Sequence, residues 1–158
     1  MTDTQQNNSP EHLRQKRQDI MAVLASSSAD EIGRHMRTIE PLPAHEDVRA
    51  AASGLVMLRG RIGGDGAPFN FGEATVTRAA IQLASKEVGF GYVLGRDHAK
   101  ARLVALCDAL VQHDAYRDRV ERDVVAPIRE RLHAERRLTA EQVAATKVDF
   151  FTLVRGED

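Results

Sequence analysis

The chain has no tryptophan, a single cysteine and seven aromatic residues among 158. Cys107, alone, cannot form an intrachain disulfide or support a cysteine-based zinc cluster. That usage fits a reducing compartment. Charge of one sign is also missing: 22 Lys and Arg stand against 23 Asp and Glu, for a formal net charge of −1. Coating DNA or RNA requires a basic excess to neutralise phosphates, so no nucleic-acid partner is expected. The same lack argues against an anionic membrane surface. No apolar run approaches the ~18 residues of a membrane-spanning helix. The N-terminal MTDTQQNNSPEH is polar and has no apolar stretch of signal-peptide length. The expectation is a soluble, cytoplasmic protein.

What is present is the material of one domain. Leu, Ile, Val and Phe supply 38 residues, above the roughly 20% floor of disordered chains, so a core can form. With 22 alanines that core is thin, and apolar area is expected to be buried against partners as well as internally. Residues 1–9 read as a flexible N-terminus and 10–158 as a single domain.

Helical signals open the chain. Ser9-Pro10 reads as a cap and first-turn proline, and Leu13, Ile20, Met21 and Leu24 recur at helical spacing over about 10–26. Ser28 to Glu31 is a capping-box pattern ahead of Ile32, Met36 and Ile39, and Pro41 and Pro43 end that helix. The middle changes period. Residues 55–62, 69–83 and 88–94 are extended runs joined by turn signals, which predicts an antiparallel meander; 46–53 is ambiguous between strand and helix. Gly72, Gly89 and Gly91 permit bulges or close backbone approach. Asp97 caps a helix of about 98–112 whose stripe includes Leu103, Leu106, Cys107 and Leu110. Residues 113–138 are helical, with Pro127 as a kink or a new start. Thr139 to Gln142 reads as another capping box, opening a short helix to about Lys147. The fold class is therefore α+β: N-terminal helices, an antiparallel sheet of three or four strands, C-terminal helices and an extended tail.

Few residues carry obvious chemistry. The turn containing Gly63 and Gly64 reads as a hairpin needing positive φ, with a backbone phosphate cradle as the alternative. Arg59 and Arg61 share one strand face, Arg78 lies on the next run, and Arg96 follows the third beside Asp97. Paired as a meander, these guanidinium groups either line one anion-binding or interface region or decorate a solvated face. The six histidines contain no pair at metalloprotease spacing, and His98 reads first as a capping or surface residue. Cys107, on an apolar stripe, reads as a core residue. No nucleophile-elbow or kinase signature is present. No metal is expected, and no self-contained catalytic set is evident.

Three ordered segments carry a resemblance. IGGDGAPFNFGEATVTRAAIQL, then GYVLGRDHAKARLVALCDAL, then ATKVDFFTLVRG are similar to the PhnG family of the bacterial carbon–phosphorus lyase system. The likeness runs from the first helix to the end and is strongest at about 46–112 and 143–156. It implies a subunit of a cytoplasmic core complex with PhnH, PhnI and PhnJ, to which PhnK attaches. It further implies that PhnG, PhnH and PhnI, with PhnL, transfer the ribosyl triphosphate of ATP to an alkylphosphonate and release adenine. ATP is then the substrate of the complex, and this chain alone holds no cofactor. The apolar tail, with Asp149, Phe150, Phe151, Val154 and Arg155, is expected to dock on a partner or on this chain's own sheet. A stand-alone anion-binding module is the alternative reading.

Overall fold

The computed structural model describes residues 10–61 and 66–145. Helix α1 (Pro10–Ala25) and helix α2 (Ala29–Met36) form the N-terminal pair. The Ser28 side chain caps α2 by accepting from the Glu31 N–H at 3.2 Å. The Glu31 carboxylate goes elsewhere, taking two hydrogen bonds from Arg131. A 3-10 turn (Arg37–Ile39) follows α2, and the proline segment then leads into the sheet.

The sheet has three antiparallel strands in sequence order: β1 (His45–Gly60), β2 (Phe69–Leu83) and β3 (Val88–Leu94). The ambiguous segment 46–53 is strand, paired with the far end of β2. Odd-numbered residues of β2, from Thr77 to Leu83, face the core, as a two-residue period requires. Strand β3 pairs only with residues 76–82. The remaining halves of β1 and β2 therefore run on as a two-stranded ribbon. Its register shifts between Leu58–Gly72 and Arg59–Asn70, leaving Phe71 as a bulged residue beside Gly72.

Helix α3 (His98–Gln112) covers one sheet face. Its alanines at 101, 105 and 109 recur every fourth residue and are buried. They meet Gly91 and Gly89: a Cβ on Gly91 would lie 1.9 Å from the Ala101 carbonyl oxygen, and one on Gly89 2.1 Å from that of Ala105. The alanine-rich composition is thus a close helix–strand approach, backbone nearly on backbone. Ile20, Leu24, Ile32, Ile39, Ile81, Leu83, Leu110 and Val93 fill the core around it.

Helix α4 (Asp114–Val120) passes through a π turn (Glu121–Val125) into α5 (Ala126–Ala145). Val120, Val124 and Ile128 are buried, with Tyr116 and Leu132 packed against them. A strict four-residue repeat drifts around a 3.6-residue helix; the wider π turn directly before Pro127 offsets part of that drift. One expectation is corrected. Thr139 opens no new helix, because Arg136 to Leu138 contain no breaker and α5 runs on through it. The Thr139 hydroxyl instead donates to the Glu135 carbonyl at 3.0 Å.

Candidate functional site

The corner between β3 and α3 gathers the densest polar network of the sheet's end. Asp97 caps α3, its Oδ1 accepting from the Lys100 N–H at 2.8 Å. Next to it, His98 Nε2 lies 2.9 Å from Ser53 Oγ, and Ser53 Oγ lies 3.0 Å from Thr77 Oγ1. Thr77 Oγ1 donates to the Gly95 carbonyl at 2.7 Å. Counting donors fixes the direction. Thr77 spends its proton on Gly95, so Ser53 donates to Thr77, and His98 Nε2–H donates to Ser53. The Ser53 proton points away from the imidazole. A serine–histidine nucleophile needs the reverse, with the imidazole accepting from the hydroxyl. This chain of hydroxyls ties β1, β2 and the β3–α3 corner together, and leaves His98 Nδ1 outside it.

The arginines do not form one cluster. The meander pairs as expected, but Arg59 lies opposite Asn70, eight residues along β2 from Arg78, or about 26 Å at strand rise. Arg61 lies just beyond β1, farther still from Arg78. Arg78 sits opposite Ala52 and Tyr92 on the sheet face away from α3, and Arg96 sits in the β3–α3 corner. All four are exposed, and none has an ion-pair partner among the described residues. Gly63 and Gly64, residues 1–9, and the tail residues Asp149, Phe150, Phe151, Val154 and Arg155 lie outside the described residues.

Two arrangements escaped the sequence reading. Asp108 interrupts the apolar stripe of α3 and is buried; its Oδ1 and Oδ2 accept from Arg17 Nε and Nη2 at 2.8 and 2.7 Å. Hydrogen bonding to Asp108 is the main cause that raises the Arg17 guanidinium above its ordinary pKa. A carboxylate between Cys107 and Ala109, inside a run of apolar residues, was the available signal. The second is a groove of about 450 Å³ lined by Leu13, Arg14, Lys16, Arg17, Val111, Gln112 and Arg117. Arg17 is neutralised by Asp108 and Arg117 by Asp114, leaving Arg14 and Lys16 as its uncompensated cations among the described residues.

Cys107 is fully buried, and burial pushes its thiol up to about 12. Its Sγ rests 3.3 Å from Met36 Sδ. A thiol so placed packs and does not attack. Among the described residues, no group of three or more His, Cys, Asp or Glu is placed to hold a metal. No described helix is long and apolar enough to cross a membrane.

The comparisons with known proteins agree in direction. The model of the family "Phosphonate metabolism protein PhnG" matches residues 15–156. A relative from Rhizobium meliloti (strain 1021), named alpha-D-ribose 1-methylphosphonate 5-triphosphate synthase subunit PhnG, is 49% identical over 143 residues. That alignment covers 90% of this chain and 91% of the relative.

Proposed function

The chain belongs to the PhnG family of phosphonate-metabolism proteins, and from that premise we propose that it is a subunit of a ribose 1-methylphosphonate 5-triphosphate synthase. In this reading the assembly transfers the ribosyl triphosphate of ATP to an alkylphosphonate and releases adenine. The carrying observation is the 49% identity over nine-tenths of the chain to a subunit of that name. The partners are PhnH, PhnI and PhnJ, with PhnK and PhnL, in the cytoplasm. ATP and the phosphonate are substrates of the assembly, and the chain has no cofactor of its own.

Displacing adenine from the anomeric carbon develops positive charge on the ribose, as glycoside hydrolysis does. The reaction also requires a positioned phosphonate oxygen, a screened triphosphate and a proton for the leaving base. This chain's groups suit support more than bond-making. Its thiol is sealed in the core, and its Ser53 hydroxyl is committed to Thr77. Arg78 and Arg96, exposed and without an ion-pair partner among the described residues, are the side chains through which it would reach a phosphate-bearing substrate at a subunit boundary, with Asp97 fixing the corner.

Copurification tests the assignment. Tagged PhnI from the same source is expected to retain this chain through size exclusion at fixed stoichiometry. Elution of the chain wholly in its own peak contradicts it.

A further inference from the structure

The sheet face away from α3 carries apolar side chains where a solvated face carries polar ones. On β3, Phe90, Tyr92 and Leu94 are 59%, 52% and 77% exposed. The two-residue period sets them on one face at intervals of about 6.6 Å, while Gly89, Gly91 and Val93 turn to the core side. Their cross-strand partners on β2 are Ala80, Arg78 and Val76, and the partners of those on β1 are Arg49, Ala52 and Gly54. Of these nine positions only Arg49 and Arg78 are charged. An antiparallel sheet with one face in water alternates apolar with polar residues, and a contiguous exposed apolar surface marks an interaction site.

Charge on this face has one sign. Arg49 and Arg78 are exposed and have no ion-pair partner among the described residues. Glu46, the nearest carboxylate on the same face of β1 and β2, lies opposite Gln82, about 13 Å along β2 from Arg78 at strand rise. Arg78 reaches across to β1, where its Nη2 is 3.6 Å from the place a Cβ on Gly54 would take. Beside β3 a groove of about 430 Å³ opens between Gln18 and Met21 of α1 and the Phe90 and Tyr92 rings, a socket for an apolar anchor. Arg14 also lines it, one helical turn from Glu11, and Arg17 there is tied to Asp108.

Resting on the subunit reading above, we propose that another subunit of the synthase packs on this face, closing apolar side chains over Phe90, Tyr92 and Leu94 and leaving Arg78 to the substrate phosphate at the boundary. A guanidinium sealed beneath an apolar cover requires an anion, and a phosphate-bearing substrate supplies one. Two other occupants are the poorer fit. A second copy laid face to face sets four guanidinium groups together, with no carboxylate among the nine positions of either copy. This chain's own residues 146–158 follow α5, which packs on the π turn and α1, on the α3 side of the sheet and opposite this face.

The test uses the full chain co-expressed with the other synthase subunits and captured through a tag on one of them. Tyr92→Asp with Leu94→Asp is expected to fall at least tenfold in recovery with the complex while keeping the wild-type melting temperature as a free chain. Arg78→Ala is expected to assemble like wild type, while adenine release from ATP and methylphosphonate falls at least tenfold with a raised KM for ATP. Wild-type recovery of the folded aspartate variant overturns the docking face and leaves the subunit reading standing. Failure of the wild type to be captured overturns the subunit reading, and the proposed occupant with it. Unchanged adenine release by assembled Arg78→Ala, or its tenfold loss from the complex, overturns the phosphate role of Arg78. If the aspartate pair does not fold, Leu94→Asp alone, at the most exposed of the three side chains, decides. A dimer of the isolated chain, abolished by the aspartate pair while the complex forms normally, assigns the face to a second copy and overturns the proposal. A free-chain melting temperature lowered equally by the aspartate pair and by removal of residues 148–158, with no further loss when both are combined, assigns the face to this chain's own tail and also overturns it.

Discussion

Arg17 on α1 and Asp108 on α3, 91 residues apart in sequence, meet in a two-bonded ion pair at 2.7 and 2.8 Å. The same Asp108 carboxylate accepts the Phe90 N–H at 2.9 Å, and Gln112 donates to the Val88 carbonyl at 2.8 Å. Two side chains of α3 thus occupy main-chain groups on the outer edge of β3, a site otherwise open to stray pairing. Asp108 fastens α1 to the helix–sheet unit and blunts the edge at once.

Removing that carboxylate strands one partly buried N–H and one cation. Asp108→Ala is expected to cost about 3 kcal/mol by urea unfolding. The Arg17 side chain is one-third exposed, which moderates its share. Asp108→Asn keeps an acceptor for Phe90 and should cost about half as much. A loss under ~0.5 kcal/mol for the alanine variant contradicts the role given to Asp108.

Gly91 and Gly72 provide a contrast within the sheet. A Cβ on Gly91 collides with the Ala101 carbonyl, whereas one on Gly72 meets nothing within 4 Å. Gly91→Ala is expected to lower stability by about 3 kcal/mol or more, because α3 must lift from the strand. Gly72→Ala should stay within about 0.5 kcal/mol of wild type. Similar melting temperatures for the two variants contradict the close approach of α3 to β3.

Alkaline pH should unfold the protein through Cys107. Its ordinary value of 9.0 is raised to about 12 by burial, with the Asp108 charge adding to the effect. The unfolded thiol ionises first, so above pH 9 the unfolded state holds fewer protons and stability falls as pH rises. The contribution is fully present below pH 9 and is lost progressively toward pH 12. The slope of unfolding free energy from this group approaches about 1.4 kcal/mol per pH unit within that window. Cys107→Ala should show a shallower slope there; an unchanged slope contradicts the assignment.

Much of the architecture was legible because periodicity and capping are local. Asp97 and Ser28 announced their helices, and three extended runs joined by turn signals announced an antiparallel meander. Thr139 misled because a capping pattern also occurs inside a helix, where only the absence of a breaker in Arg136 to Leu138 tells the difference. The arginine grouping was not legible. Strand length and register decide whether Arg59 and Arg78 meet, and both are set by pairing across the ribbon. Asp108 with Arg17, and Ser53 with His98, join residues 91 and 45 apart, contacts that only tertiary packing creates.

The central claim is that this chain supports phosphonate ribosylation without performing it alone. The direct test is adenine release from ATP and methylphosphonate, measured with the purified chain, with the other synthase subunits, and with both together. The account predicts background release from the first two and turnover only from the combination. Adenine formed by the isolated chain, or at the full rate without it, would contradict the account.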